Sequence, residues 1–370
     1  MWNKPRCRVL LIANSVYQLQ TAIHIKRSLL SDREADLLIT DVTPGLLECA
    51  PRAAETGLFD RVLTGAVREV NQRYHPNKPD ELSEAFSQIS AIFGWALSDE
   101  LDAYSDIYFA NFDLFTRMLA CRFHPMPCSF IGYEDGFSTY VIHYLRPDRA
   151  AVNRHPEGRK IQDKLTGFLL YEPSLAMRGD GLPNRPIPKI SRDDQELREL
   201  LNYVFAYQKP PESAPFIFLE QSFRAEKLKT NDLELMRECQ QTVGPSRFIV
   251  KPHPRNPENL PLQLGLTRSY PGDAPWELFL LNEEPMRHTV LTVCSNGALT
   301  SQIVLGLDTP TVMLYDLFEG QVLWQEDAVL RRYLRQFHRQ LAGSRYYVPQ
   351  TVYELRNVLT FLGGGHESSH

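Results

Sequence analysis

The stretch RVLLIANSVYQLQTAIHIKRSLL, residues 8 to 30, decides how the chain is read. Its first part, Arg8 to Asn14, is a short run of β-branched and leucine residues without polar alternation, the pattern of a strand buried on both faces of a parallel sheet. Ser15 and Val16 form a turn, after which Leu19, Ile23 and Leu30 fall on a helical stripe, with Ala22 and His24 beside it. Strand, turn and helix in this order make the unit from which α/β folds are built. ADLLIT (35 to 40), Arg61 to Leu63, DIYFA (106 to 110) and SFIGY (129 to 133) read as further strands between helical patterns.

From Arg146 to Arg192 prolines, charges and short apolar runs replace this pattern. Within it Arg146 to Lys189, rich in Arg and Lys, is a candidate basic groove for an anionic chain, with a solvated, partly mobile loop as the simpler reading. Residues 193 to 208 suit a helix, and KPPESAP (209 to 215) is the best linker in the chain. A second alternating series follows: FIFLE (216 to 220), a helix near 230 to 242, RFIVK (247 to 251), a helix from about 275 to 281, TVLTV (289 to 293), a helix from about 298 to 305, and TVMLY (311 to 315). A final helix is expected at 352 to 362, and the tail GGGHESSH reads as a disordered end. The expected organisation is an N-terminal Rossmann-like domain (1–208), a C-terminal Rossmann-like domain (209–345), and a C-terminal helix with a disordered tail (346–370). Open α/β sheets bind ligands outside the carboxyl ends of their strands. Two such sheets facing across a cleft make the arrangement called GT-B in glycosyltransferases.

Composition narrows the function classes. Hydrophobic residues make up 43% and charged residues 23% of the 370, as in soluble globular proteins. A net charge of -5 and a pI of about 6.1 give no global case for nucleic acid, so any anion has to be met by a local pocket. Six scattered cysteines show no zinc spacing, so the expectation is a reduced, cytoplasmic protein without a metal. No run approaches ~20 uninterrupted apolar residues, so no transmembrane segment is expected. A P-loop is excluded, and no GxGxxG supports a dinucleotide site.

Several strand ends carry chemistry. After SFIG come Tyr133, Glu134, Asp135 and Gly136. Two acids before a glycine free to adopt positive φ can present one carboxylate while the other orients it or caps a turn; an ordinary acidic turn is the plainer alternative. In FIVKPHPRNP, Phe248 to Pro257, Pro252 and Pro254 restrict the backbone around His253, so the imidazole is held with little entropy left to lose. Lys251 and Arg255 can supply charge-assisted hydrogen bonds to phosphate. The same His-Pro pair at His75, His124 and His155 follows no comparable strand.

CSNGALTS, Cys294 to Ser301, places small hydroxyl residues and a glycine before a helix, where backbone N–H groups and the helix dipole receive phosphate; helix capping by Ser295 or Asn296 would explain the same residues. Glu277, in the DAPWE start of a helix, can accept from ribose hydroxyls or simply complement the helix N-terminus. Ser15 and Gln18, after the first strand, are candidates for the acceptor side, with capping as the alternative for Ser15.

Taken in order, SVYQL, YEDGFSTYV, KPHP, PWEL and CSNGALTS resemble the motifs of bacterial GT-B sialyltransferases and polysialyltransferases. The resemblance implies a metal-independent, inverting transfer of sialic acid from CMP-sialic acid to a glycan acceptor of a bacterial surface polysaccharide, capsule or lipopolysaccharide, with no cofactor required. It assigns the general base to Asp135, with Glu134 as neighbour and second candidate, and contact with the CMP phosphate to His253. Glu277 would bind ribose, and the serine turn, Ser295 with Asn296 in place of a second hydroxyl and with Thr300 nearby, would bind phosphate. Lys251 and Pro254 complete the donor side; Ser15, Gln18 and Gly136 line the acceptor side. Rival readings are the same scaffold with CMP-Kdo or another CMP-nonulosonic acid, and a catalytically idle GT-B protein that binds nucleotide or glycan. The expected partners are the CMP-sugar and the glycan, with no nucleic acid, and the location is cytoplasmic, with room for peripheral association with the inner membrane. Acceptor, linkage, processivity and oligomeric state are not specified.

Overall fold

Apolar runs of four to six residues set the architecture, because strands buried on both faces need no polar alternation. In the computed structural model, which describes residues 8–209, 214–268, 275–283, 287–320 and 327–367, these runs form two parallel sheets. The chain divides into two compact units, one made of Met1–Pro188 with Glu199–Ala206 and the other of Lys189–Arg198 with Tyr207–His370. The linker expected at 209 to 215 lies largely outside the described residues, as do 273 and 274 before Pro275.

The first unit holds β1 (Val9–Ala13), β2 (Ala35–Thr40), β3 (Arg61–Gly65), β4 (Asp106–Phe109), β5 (Ser129–Tyr133), β6 (Leu165–Leu170) and β7 (Asn184–Pro186), in the order β3-β2-β1-β4-β5-β6-β7. This is the Rossmann order with one strand added, and it reverses direction between β1 and β4. Every residue of β1 and β2 is buried. The helix Val16–Ser28 starts at Ser15, whose Oγ accepts from the Gln18 N–H at 3.2 Å. At the far side, Gly132 of β5 lies so close to Phe168 of β6 that a Cβ there would meet the ring at 2.3 Å.

The second unit holds β8 (Phe216–Leu219), β9 (Phe248–Lys251), β10 (Thr289–Thr292), β11 (Thr311–Met313) and β12 (Tyr346–Tyr347), in the order β12-β11-β10-β8-β9. Read from β9 this is the 2-1-3-4-5 order of doubly wound sheets, with its reversal between β8 and β10. All the residues of β8, β9, β10 and β11 are buried.

Two sequence expectations need correction. The segment 146 to 192 is built into the fold: it supplies the helix Pro156–Lys164, β6 and β7. Its Arg178 is no groove lining. The side chain is 2% exposed, stacks over Phe168 at 3.8 Å, and bonds Asp180, the Thr139 carbonyl and Asn184. Arg117 serves the same segment from the helix Leu114–Phe123, donating to the Gly158 carbonyl at 2.9 Å. A buried guanidinium that satisfies carbonyls fixes a loop that propensity alone would leave irregular. The second correction concerns the tail: Gly363 to Glu367 continue the helix Val352–Glu367, which packs on the helix Asp232–Val243. Residues 368 to 370 lie outside the described residues.

Candidate functional site

In each unit the chemistry-bearing residues lie at the carboxyl ends of strands at or next to the reversal of strand order. In the first unit, the carboxyl end of β1 passes through Asn14 into the Ser15 cap. Gln18, one turn on, is buried; its Oε1 accepts the Asn14 N–H at 2.8 Å and its Nε2 donates to Asn111 Oδ1 at 2.7 Å. Asn111, just past β4, also accepts from Asn14 Nδ2 at 2.9 Å. Gln18 therefore pins the β1 loop to the β4 loop, and Ser15 caps its helix; the bonds of both side chains here are structural.

The acidic pair divides cleanly. Glu134 is 1% exposed, and three donors enclose it: Tyr17 Oη to Oε1 at 2.9 Å, the Tyr171 N–H to Oε2 at 2.8 Å, and the Tyr140 hydroxyl to Oε2. Burial first, and then the charge of Glu134, raise the Tyr17 phenol well above its ordinary value, so it remains a donor at any working pH. Asp135 is only half-buried, and its backbone is tied down on both sides: its N–H donates to Thr139 Oγ1 at 2.8 Å and its carbonyl accepts from Ser138 Oγ at 3.1 Å. Gly136 follows with φ of 73°, a left-handed conformation that a side chain would strain. The tyrosine shell was not legible in the sequence. Tyr17 and Tyr140 lie inside the quoted motifs, and the signal that could have found them is that a buried carboxylate demands donors.

The second unit gathers its residues around the ends of β8, β9 and β10. Lys251, 8% exposed, closes β9. His253 follows, with its N–H bonded to Glu220 Oε2 at 2.9 Å; the other oxygen of Glu220 takes Arg224 Nη2 at 2.5 Å. Glu220, with a fully buried side chain, thus fixes the His-Pro turn, a role that its place at the end of FIFLE did not announce. The Arg255 N–H donates to His253 Nδ1 at 3.2 Å. A nitrogen that accepts carries no proton, so the neutral ring bears its hydrogen on Nε2. Burial, then Arg255 and Lys251, lower the His253 pKa to about 4, so the imidazole is neutral near pH 7. His75 makes the same local bond with Asn77 N at 3.1 Å but follows no strand, so the turn is common and the placement is what distinguishes His253. Pro254 is exposed on the turn.

Two helix starts complete this cluster. Trp276, opening the helix Trp276–Asn282, donates from Nε1 to the Gly297 carbonyl at 2.7 Å, and Gly297 opens the helix Gly297–Leu305. A Cβ at Gly297 would meet Leu219 at 3.1 Å and Trp276 at 3.2 Å, so the two helix starts and the end of β8 share one small space. Glu277 is coupled to Lys251: burial raises its carboxyl from the ordinary value, against the pull of its own backbone N–H and of Lys251. The turn after β10 is held from below by Thr292 Oγ1, which donates to the Leu219 carbonyl at 2.9 Å, and by Gln221, which accepts the Cys294 N–H at 3.0 Å. Asn296 is the residue before the helix Gly297–Leu305 and makes no side-chain cap; Ser295 Oγ, one residue earlier, accepts from the Gly297 N–H at 3.3 Å and has a hydroxyl proton to donate. Thr300 is 1% exposed and turns its hydroxyl onto the Asn296 carbonyl at 3.2 Å, so it stabilises the first helical turn.

The charges here occur in opposite pairs: Arg224 with Glu220, Arg255 with Glu226 at 3.0 Å, and Lys251 coupled to Glu277. An anion bound here would therefore rely on neutral donors and on the helix dipole more than on surplus positive charge. Among the described residues no group of three or more His, Cys, Asp or Glu could hold a metal ion, and no helix is long and apolar enough to cross a membrane.

No family model matches the sequence, and no curated protein matches it. Solved structures do match in fold. The glycotransferase of kitacinnamycin is 12% identical over 97% of this chain and 91% of its own, with a TM-score of 0.53. The α/β-galactoside α-2,3-sialyltransferase of Photobacterium phosphoreum is 11% identical over 94% of this chain and 99% of its own, with a TM-score of 0.51. A putative UDP-N-acetylglucosamine 2-epimerase of Listeria monocytogenes is 12% identical over 98% and 89%, also with a TM-score of 0.51. The fold is thus that of the GT-B class, two parallel-sheet α/β domains of Rossmann type, shared by enzymes of several donors and reactions.

Proposed function

We propose that the protein is an inverting glycosyltransferase that moves sialic acid from CMP-sialic acid to a glycan acceptor of a bacterial surface polysaccharide. The observation that carries this reading is the donor cluster of the second unit. His253, neutral and hydrogenated on Nε2, stands beside Lys251, and Ser295 lies in the turn just before the helix Gly297–Leu305 at the same end of the sheet. Neutral donors and a helix N-terminus suit a phosphodiester with one negative charge better than a pyrophosphate with two or more. A CMP-sugar carries such a diester, whereas UDP- and GDP-sugars carry the pyrophosphate. Motif order along the sequence and the sialyltransferase among the structures of like fold lean the same way.

In the mechanism proposed, Asp135 takes the acceptor hydroxyl proton as its oxygen attacks the anomeric carbon, and the bond from that carbon to the phosphate oxygen breaks with its electrons leaving on CMP. His253 donates a hydrogen bond from Nε2 to the departing phosphate, Ser295 and the helix N-terminus share its charge, and Glu277 accepts from the ribose hydroxyls. The low pKa of free His253 makes it a hydrogen-bond donor at the outset; the phosphate charge would raise that pKa as the bond breaks. Turnover of CMP-sialic acid by Asp135→Asn and His253→Ala tests the assignment. The reading expects a loss of roughly 10²- to 10⁴-fold for Asp135→Asn. Unchanged turnover in both variants, with folding intact, contradicts it.

A further inference from the structure

The acidic pair offers two carboxylates, and only their surroundings separate them. Glu134 is enclosed by donors from three parts of the first unit: Tyr17 from the helix after β1, Tyr140 from the helix Ser138–Val141, and the Tyr171 N–H just past β6. Its own N–H donates to the Leu169 carbonyl of β6 at 3.0 Å. Tyr133, one residue earlier, crosses to β1 and donates from its hydroxyl to the Ile12 carbonyl at 2.5 Å. The Tyr140 hydroxyl also accepts the Glu172 N–H at 3.2 Å, so the shell is cross-linked to the segment beyond β6. A carboxylate that accepts three bonds while 1% exposed has no room to approach a substrate hydroxyl.

We propose that Glu134 is a positioning residue: its tyrosine shell locks the end of β5, and so fixes the backbone from which Asp135, as the only base of the pair, takes the acceptor proton. This rests on the reading of Asp135 as base. The link is short and physical. Glu134 and Asp135 are adjacent, the Asp135 N–H is held by Thr139 Oγ1, and Thr139 lies one residue before Tyr140, whose hydroxyl grips Glu134. Removing that grip frees both ends of the turn. Arg178, which donates to the Thr139 carbonyl at 2.8 Å, holds the same turn from outside and is left intact by the test.

The test compares Tyr17→Phe with Tyr140→Phe, Glu134→Ala, Glu134→Gln and Asp135→Asn, read by steady-state kinetics with CMP-sialic acid and by hydrogen exchange of peptides covering 133 to 141. The double tyrosine variant should lose roughly 10- to 100-fold in kcat, the cost of about 1 Å of misplacement, with the donor KM unchanged. Exchange should quicken in 133 to 141 and stay as it was in β1 and β4. Glu134→Gln, which keeps the shape and one acceptor, should recover activity relative to Glu134→Ala. Wild-type kcat in the double variant overturns the proposal, as does Glu134→Gln being dead while Asp135→Asn remains active, which would make Glu134 the base. If the double variant does not fold, Tyr17→Phe alone carries the same readouts. If the wild-type protein transfers nothing from CMP-sialic acid, the functional reading fails separately, and exchange in 133 to 141 still decides: no local change in the tyrosine variants overturns the lock.

Discussion

His253 shows how one side chain's setting decides its chemistry. Its pKa of about 4 means that the fold refuses a proton which the unfolded chain accepts near the ordinary value of 6.5. The stability that goes with the neutral ring is therefore present above pH 6.5 and is lost as pH falls from 6.5 toward 4. His253→Asn should flatten that part of the pH dependence in urea unfolding; an unaltered curve would mean that His253 is not desolvated. Ligand binding should run the other way. A phosphate beside the ring raises its pKa, so binding takes up a proton, and affinity for a phosphodiester ligand should rise as pH is lowered over the same window. A diester is needed because a phosphate monoester titrates itself near pH 6. Calorimetry in buffers of different ionisation enthalpy measures the uptake, and equal uptake by His253→Asn would remove His253 from the site.

At the level of elements, several strand ends are tied to neighbouring loops and strands by side chains, and two substitutions probe the packing and the turns around them. Gly132→Ala puts a methyl 2.3 Å from the Phe168 ring, which Arg178 stacks against from 3.8 Å. The ring has nowhere cheap to go, so a loss of about 1–3 kcal/mol in chemical denaturation is expected. Ser295→Ala separates the local turn bond from ligand binding. Loss of the turn bond from the Gly297 N–H alone should cost about 1 kcal/mol of stability. If Ser295 also donates to phosphate, CMP should bind roughly 10-fold more weakly as well, as for a hydrogen bond to a charged group. Titration of CMP by calorimetry distinguishes the outcomes.

The same scale explains what could be read from the sequence. β1, β2, β8 and β9 were legible because both faces are buried and their runs are mostly apolar, and β5, half-buried at Ser129 and Ile131, because it follows the same alternation of strands and helices. β6, LTGFLL, and β7, NRP, were hidden among prolines and charges, and what makes them strands is tertiary: Arg117 and Arg178 satisfy the carbonyls of the surrounding loops. For the site, His253 could be singled out by the strand before it. Glu220 and Tyr17 could not, since their roles come from bonds spanning 33 and 117 residues of sequence.

For the whole molecule, the fold restricts the function less than the site does, since structures of like fold include a sialyltransferase and an epimerase by description. The net charge of -5 fits a protein that binds its anion through a few placed donors instead of a broad positive field. The second unit should accordingly discriminate between donors, and thermal unfolding should rise with a CMP-sugar and not with a UDP- or GDP-sugar. Equal shifts with all three would undercut the assignment of a CMP-linked donor.

The central claim is transfer of sialic acid from CMP to a glycan. Mass spectrometry of products formed from a panel of CMP-, UDP- and GDP-sugars with a panel of glycan acceptors tests it most directly. The expected product is an acceptor with its mass increased by one or more sialic acid residues, formed only from CMP-sialic acid and lost in Asp135→Asn. Product formed from a UDP- or GDP-sugar, or CMP binding without product from any CMP-sugar, would contradict it.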